Sequence, residues 1–390
     1  MKNQFEDNYK MIAKTQLGLE DVLADELKRL GAMEVNILNR AVSFVGDKGF
    51  MYKANLNLRT ALRILKPIHY FSARKDTELY EKALKIEWSD YMTVDDTFSV
   101  NAAVHSDFFN HSHYVALKVK DAIVDYFRNH TRGRRPTVNT KQADVQFNIH
   151  ISNDKCTISL DSSGDSLHKR GYRHSTNEAP INEVLAAGLI MLSDWDRKSN
   201  FHDPMCGSGT ILIEAAMLAC NIPPQLHRKR FCFMNWKDFE DDLWQTIKSS
   251  SMKKIVEFEG KIIGCDRAFA SVRKAQENVK DAMLDDFVEI KRANFIRKPE
   301  PMPEGSTLLF NPPYGERLKV NVNELYADIG DTFKKNYPGC SAWLITSDME
   351  AIKSVHLKHS KRIKIFNGKL ECRFLKYEMY EGSRKKQKSD

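Results

Sequence analysis

The chain has 390 residues, 42% of them hydrophobic and 29% charged, a composition that excludes a disordered chain and leaves room for two or three domains with cores of their own. Its formal net charge of +8 has the sign expected of a protein that meets a polyanion. There is no apolar run of the roughly 18 residues a membrane helix needs, no secretory pattern at Met1-Lys2-Asn3-Gln4, and no CxxC spacing among seven scattered cysteines. Membrane, disulfide-framework and zinc classes are thereby disfavoured, and a reducing cytoplasm is the expected home.

Residues 1–65 open with Ile12-Ala13-Lys14-Thr15, followed by a helix carrying Leu19, Val22, Leu23, Leu27 and Leu30. Strands are expected near Val35–Leu38 and Ala41–Val45, then a second helix from Lys48 through Leu58. This pattern is that of a small α+β unit of the ferredoxin-like kind. Residues 66–161 begin helix-rich. They continue with a strand over Thr97–Val104, a helix over Tyr114–Arg128, and strands over Gln146–Ser152 and Lys155–Leu160 joined at Asn153-Asp154. The densest basic patch here is Arg132-Gly133-Arg134-Arg135-Pro136, for which phosphate contact and a solvated charged loop are both open readings. His105, Asp107, His111 and His113 share no metal-ligand spacing, so no metal site is expected. Residues 162–195 form a linker and helix joining the halves.

From about residue 200 strands and helices alternate, which predicts a mostly parallel sheet. Phe201-His202-Asp203-Pro204-Met205-Cys206-Gly207-Ser208-Gly209-Thr210 precedes the strong helix former Ile211–Ala219. A strand, a glycine turn and a helix N-terminus form a usual ligand cradle in a doubly wound sheet. The spacing is neither GxGxxG nor GxxxxGK, so dinucleotide and nucleotide-triphosphate readings fit poorly. A carboxylate ahead of the glycines suits a cationic amino-acid ligand, and S-adenosylmethionine is one. Next come Asn221–Glu259, with Arg228-Lys229-Arg230, Trp236 and Trp244. This segment reads as an amphipathic helical excursion shielding the sheet, its basic residues possible RNA contacts. Lys261–Asp266 is a strand tipped by an acid, able to bind two ribose hydroxyls or simply to cap the helix that follows. Val288–Lys291 leads to Ala293-Asn294. Leu308-Leu309-Phe310 is a short buried strand ending in Asn311-Pro312-Pro313-Tyr314. Ser341–Thr346 is a further strand, and Lys361–Phe366 and Leu370–Tyr377 flank Asn367-Gly368, a hairpin signal.

The Asn311–Tyr314 stretch suits methyl transfer to a planar base amine. Such an amine is a poor nucleophile because its lone pair is delocalised. As it attacks, its N–H bonds become more acidic, so acceptors aimed at those hydrogens favour the transition state. The Asn311 side-chain oxygen and the Pro312 carbonyl can serve. Pro312 and Pro313 stiffen the loop, and Tyr314 offers a stacking face.

Four stretches carry a family resemblance: Asp165–Arg173, Asp203–Ala216, Arg230–Trp244 and Asn311–Leu318. On them the chain resembles the THUMP-domain class I S-adenosylmethionine-dependent RNA methyltransferases, and among these the bacterial 23S rRNA guanine-N2 methyltransferases. The resemblance implies a class I methyltransferase domain at 196–382, a Rossmann-like sheet closed by an antiparallel hairpin. Ahead of it would lie the ferredoxin-like domain at 1–65 and a THUMP RNA-binding domain at 66–161, with a basic tail at 383–390 after it. It implies that Asp203, Cys206, Gly207, Gly209 and Thr210 hold the methionine part of the cofactor, Asp266 the ribose, and Asn294 the adenine. Many relatives place an Asp at that last position. Asn311, Pro312, Pro313 and Tyr314 would engage the target base, and Arg132, Arg134, Arg135, Lys169 and Arg170 the RNA, with Lys169 and Arg170 alternatively reaching the cofactor carboxylate. The expected product is N2-methylguanosine in 23S rRNA. A tRNA guanine, a DNA adenine and a non-catalytic role in ribosome assembly are the alternatives. No obligate protein partner is expected.

Overall fold

The structure is a computed structural model that describes residues 8–173, 180–313 and 321–380. The chain divides into two compact units. The first comprises Met1–Thr15, Leu23–Lys169 and Arg228–Ser251; the second comprises Gln16–Val22, Arg170–His227 and Met252–Asp390.

The first unit is built on β1 (Tyr9–Lys14), α1 (Glu20–Leu30), β2 (Met33–Leu38), β3 (Ala41–Gly46), α2 (Lys48–Asn57), β4 (Arg63–Ser72), α3 (Asp76–Leu84), β5 (Thr97–His105), α4 (Ser112–His130), β6 (Thr137–Val138), β7 (Val145–Ser152) and β8 (Lys155–Asp161). The strands form one eight-stranded sheet in the order β2-β3-β1-β4-β8-β7-β5-β6. α1 follows its sequence signals: Glu20 and Asp21 in the first turn and Lys28 and Arg29 in the last complement the helix dipole. α2 starts at Asp47, whose side chain accepts from Phe50 N at 2.6 Å. The β7–β8 hairpin turns at Asn153, whose φ of 53° asparagine tolerates well.

β4 is the strand that sequence reading missed. Pro67 interrupts an otherwise good strand pattern, and proline removes a ladder hydrogen bond. The structure accommodates it at an irregularity between Pro67 and His69, where the pairing with β8 shifts register. β4 pairs with β1 on one side and β8 on the other, so it joins residues before and after position 65 into a single sheet.

The second unit opens with α5 (Glu183–Leu192), β9 (Phe201–Asp203) and α6 (Thr210–Ala219). The chain then leaves it for Arg228–Ser251, which is counted with the first unit and holds most of α7 (Asp241–Met252). The amphipathic excursion does shield a sheet, but that of the first unit. Phe231, Phe233, Trp236 and Trp244 join its core, and Tyr52 stacks on Phe233 with centroids 4.4 Å apart. This corrects the expectation that Arg228 and Arg230 are RNA contacts, while Lys229 between them is exposed. Arg228 donates to the Ser163 and Asp165 carbonyls at 2.8 and 2.7 Å, and Arg230 pairs with Asp144 at 2.8 Å. Both guanidinium groups hold the excursion in place.

The chain resumes with β10 (Ile262–Asp266), α8 (Phe269–Asp281), β11 (Val288–Arg292), β12 (Thr307–Phe310), α9 (Val322–Asn336), β13 (Ser341–Thr346), α10 (Ala351–Ser354), β14 (Lys361–Asn367) and β15 (Leu370–Glu378). The seven-stranded sheet runs β11-β10-β9-β12-β13-β15-β14. The first five strands in that order are parallel, and β15 and β14 close the sheet as an antiparallel pair. β9 is central, with β10 on one side and β12 on the other, so strand order reverses there. Ligands of open α/β sheets bind at such a switch point, beyond the strands' carboxyl ends. Among the described residues no helix is long and apolar enough to cross a membrane.

Candidate functional site

Asp203 ends β9, Asp266 ends β10 and Asn311 follows the last residue of β12. Gly264 of β10 is in register with Asp203, and Leu308 of β12 with His202, so the three functional side chains leave adjacent parallel strands at the same edge. The sheet thus brings together what the sequence separates by more than a hundred residues.

The Asp203 carboxyl is buried, and its Oδ1 accepts from Met205 N at 3.1 Å. Burial, with the Asp266 carboxylate nearby, pushes its pKa well above the usual carboxylate range. A cation placed beside it would bring that value back down. The turn that follows is shaped by its glycines. Gly207 has φ of 54° and nothing within 4 Å of where a Cβ would sit, so a ligand can approach its backbone. Its N–H donates to Asp266 Oδ2 at 3.1 Å, and Asp266 Oδ1 accepts from Ala268 N at 2.8 Å. Gly209, with φ of 81°, is close-packed instead: a Cβ there would lie 3.3 Å from the Ala275 Cβ. Asn278 of α8 donates its side-chain amide to the Ser208 carbonyl at 2.9 Å and pins the turn. Cys206 is buried, and burial raises its thiol well above the ordinary value, so it fills space as a neutral group.

Asn294 follows β11. Its Oδ1 already accepts from Ile296 N at 3.0 Å and Arg297 N at 3.2 Å, an Asx turn that consumes both lone pairs. Only its N–H donors remain for a ligand. At the tip of β12, Asn311 Oδ1 is buried and has no hydrogen-bond partner among the described residues. A buried acceptor left empty is costly, so such an atom marks a place where a donor arrives. Pro312 and Pro313, lacking N–H groups, cannot supply one. Tyr314 and the rest of the motif through Leu318 lie outside the described residues, as do Met1–Gln4 and the tail at 383–390.

Of the residues expected to face RNA, Arg132 and Arg135 are exposed, and Arg134 is exposed but paired with Asp95. Lys169 is exposed and 3.5 Å from Asp165. Arg170 requires correction. Its side chain is fully buried, with Nε 2.9 Å from Glu214 Oε1 and Nη2 3.3 Å from Glu214 Oε2. A buried guanidinium with a bidentate carboxylate partner is a structural ion pair and cannot reach a phosphate. Its partner had a signal in the sequence, since Glu214 is the one acid in the otherwise apolar helix Thr210–Ala219. Sequence reading also passed over Asn278, taken only as part of a periodic helix face, and Arg173, whose Nη1 lies 3.0 Å from Glu183.

Comparison with known proteins gives this geometry a family. Residues 170–376 match the RMKL-like methyltransferase domain, residues 73–161 the THUMP domain and residues 10–65 the RlmL ferredoxin-like domain. The chain belongs to the RMKL-like methyltransferase family. It is 36% identical over 369 residues to slr0064 of Synechocystis sp., named as a candidate RNA methyltransferase, with 93% of this chain and 95% of that protein covered. It is 39% identical to the ribosomal RNA large subunit methyltransferase K/L of Shewanella sp. over 94% of this chain, and 36% identical to that of Syntrophotalea carbinolica over 95% of it. The chain spans only about half of these K/L relatives, 52% and 54% of their lengths. Among solved structures it is similar to SMU.472, a candidate methyltransferase complexed with SAH, at TM-score 0.85 and 29% identity, covering 97% of this chain and 100% of that one. A possible methylase from Clostridium difficile 630 matches at 0.85 and 34%, with the same coverage of both chains.

The fold is therefore a Rossmann-like methyltransferase preceded by ferredoxin-like and THUMP domains, and the methyl donor of this RMKL-like enzyme is S-adenosylmethionine. The observed site fits that cofactor. A buried carboxyl awaits a cation, the space beside the Gly207 backbone is open, and the Asp266 carboxylate borders the same turn.

Proposed function

We propose that this RMKL-like methyltransferase methylates the exocyclic N2 amine of a guanine in 23S rRNA. The observation that carries this reading is the buried Oδ1 of Asn311 at the strand tip, which has no partner among the described residues; the carbonyl of Pro312, next in the chain, is the proposed second acceptor. Two acceptors at that position match the two N–H bonds of an aromatic amine. They bind it more strongly as the nitrogen pyramidalises and its hydrogens gain positive charge, which lowers the barrier. In this reading Asp203, Cys206, Gly207, Gly209 and Thr210 hold the methionine part of the cofactor, Asp266 its ribose hydroxyls, and the remaining N–H donors of Asn294 an adenine ring nitrogen. The sulfonium supplies an already activated methyl group, so the protein contributes alignment rather than a nucleophile or base. The methylated amine is acidic enough to lose its proton to water. Pro312 and Pro313 keep the acceptors from swinging away, and Tyr314 stacks on the base. The base must be unpaired or flipped out, because an amine inside a duplex cannot reach a strand-tip loop.

The RNA assignment is supported by the THUMP domain and by the names of the K/L relatives, and Arg132, Arg134, Arg135 and Lys169 are its proposed phosphate contacts. A structure from Listeria monocytogenes, 29% identical at TM-score 0.84, is that of a predicted N6-adenine-specific DNA methylase, chemistry that the same acceptor pair could serve. The deciding experiment incubates the purified protein with labelled S-adenosylmethionine and, separately, unmodified 23S rRNA, tRNA and duplex DNA, with Asn311→Ala as control. Label in rRNA that disappears in the variant supports the proposal. Label in tRNA or DNA alone moves the substrate and refutes the polymer assignment, and no label on any despite cofactor binding favours a non-catalytic assembly role.

A further inference from the structure

Arg173 stands at the N-terminus of α6. Its Nη1 is held by Glu183 at 3.0 Å and its Nη2 donates to Thr210 Oγ at 2.5 Å. Its Nε is buried and has no hydrogen-bond partner among the described residues. Beside it Tyr172 is 2% exposed, and its hydroxyl also lacks a partner among those residues. Burial, together with the Glu183 and Glu214 carboxylates, raises the phenol well above its usual pKa, so the hydroxyl stays a neutral donor. Thr210 Oγ1 accepts from Arg173, and its only other partner among the described residues is the Ser208 hydroxyl at 3.5 Å, a long contact that a closer acceptor can replace. The helix start adds to this: the N-cap is Gly209, which offers no side-chain cap, and the first turn holds no acid.

Arg173 Nε and the Tyr172 hydroxyl are thus donors without an acceptor among the described residues, and Arg173 reaches the first residue of α6. Arg170 is matched by Glu214 and Arg173 by Glu183. Donors at an uncapped helix N-terminus suit a group with one negative charge and two acceptor oxygens, while the Glu183 and Glu214 carboxylates, which already match both arginines, oppose a dianion such as a phosphate monoester. We propose that Arg173, with Thr210, binds the carboxylate of the cofactor's methionine moiety, while Asp203 on the neighbouring strand tip takes its ammonium. The aminoacyl zwitterion is then read at both ends, and Glu183 acts as a positioning residue that aims the guanidinium. The inference rests on S-adenosylmethionine being the donor.

The test compares binding of S-adenosylmethionine and its decarboxylated analogue, which keeps the ammonium and sulfonium, by titration calorimetry. Charge-assisted hydrogen bonds imply that the wild-type protein prefers the carboxylate form by about ten- to a hundredfold. Arg173→Gln should lose that preference while binding the decarboxylated form within about twofold of wild type. Arg173→Lys, which keeps the charge but not the fork, should recover part of it. Equal wild-type affinity for both ligands would overturn the proposal. So would an Arg173→Gln variant that weakens both alike, since that marks a structural prop. If Arg173→Gln does not fold, Arg173→Lys decides: a preference below wild type supports the assignment and an unchanged one overturns it. Failure of the wild-type protein to bind either nucleoside would instead overturn the cofactor premise.

Discussion

Replacing Asn311 by Ala should move activity and stability in opposite directions. In the ligand-free protein the Asn311 Oδ1 is a buried acceptor with no donor among the described residues. Leaving such a group unsatisfied costs about 1–3 kcal/mol. Ala removes that cost and gives up side-chain packing worth roughly 1 kcal/mol. The net change lies between about zero and +2 kcal/mol, or up to about 8 °C in Tm for a domain of this size. In the transition state the same oxygen stabilises developing positive charge, and losing one preorganised group of this type costs about a hundred- to a thousandfold in kcat. Scanning calorimetry of the ligand-free protein and single-turnover methyl transfer read the two quantities. A variant that loses activity and also melts several degrees lower would refute the reasoning, because the oxygen would then have a structural partner. Unchanged kcat would refute it more directly.

Further outcomes are expected at the buried ion pair, at Asp203 and at the basic residues. Glu214→Gln leaves the Arg170 charge buried without its counterion and should cost about 3–5 kcal/mol in urea unfolding, while Arg170→Met with Glu214→Leu recovers most of it. Asp203 is raised in the folded, ligand-free protein, so its stabilising contribution is complete below its ordinary pKa of about 4 and is lost as pH climbs through the raised value. Asp203→Asn should therefore flatten that part of the Tm–pH curve. Binding of the cofactor's ammonium should release a proton in the wild-type protein only, seen as a buffer-dependent heat in calorimetry. The double substitution Arg132→Ala, Arg135→Ala should weaken RNA binding and reduce the slope of log affinity against log salt by about 1.4, at roughly 0.7 for each single-strand phosphate that is no longer neutralised. Arg228→Ala, whose guanidinium holds carbonyls of its own unit, should leave that slope unchanged and lower Tm.

The sheet that carries the site was legible because its signals are local. Asp203 with its glycine turn, the acid ending Ile262–Asp266 and the prolines after Phe310 each declare a strand end, and their order implies one edge. The closing hairpin was legible too, although the turn sits one residue later than Asn367-Gly368 suggests: Asn367 pairs with Leu370, which leaves Gly368 and Lys369 in the loop. What escaped was non-local. Pro67 hid β4 because only the neighbouring strands show that its missing N–H falls at a register irregularity. The aromatic residues of Arg228–Ser251 announce that the excursion buries one face, but amphipathicity does not say against which sheet. Arg170 looks like a surface cation until Glu214, forty-four residues away, is seen to hold it inside. Arg173 was invisible for the same reason, since its neighbours Glu183 and Thr210 come from separate helices.

The most direct test of the central claim is to digest the RNA product to nucleosides and locate the transferred methyl by mass spectrometry against synthetic standards. N2-methylguanosine from 23S rRNA, absent with Asn311→Ala, is the expected result. A methyl on a ring nitrogen, a ribose oxygen or a base carbon would contradict it, because none of those positions presents two N–H bonds to the acceptors at the tip of β12.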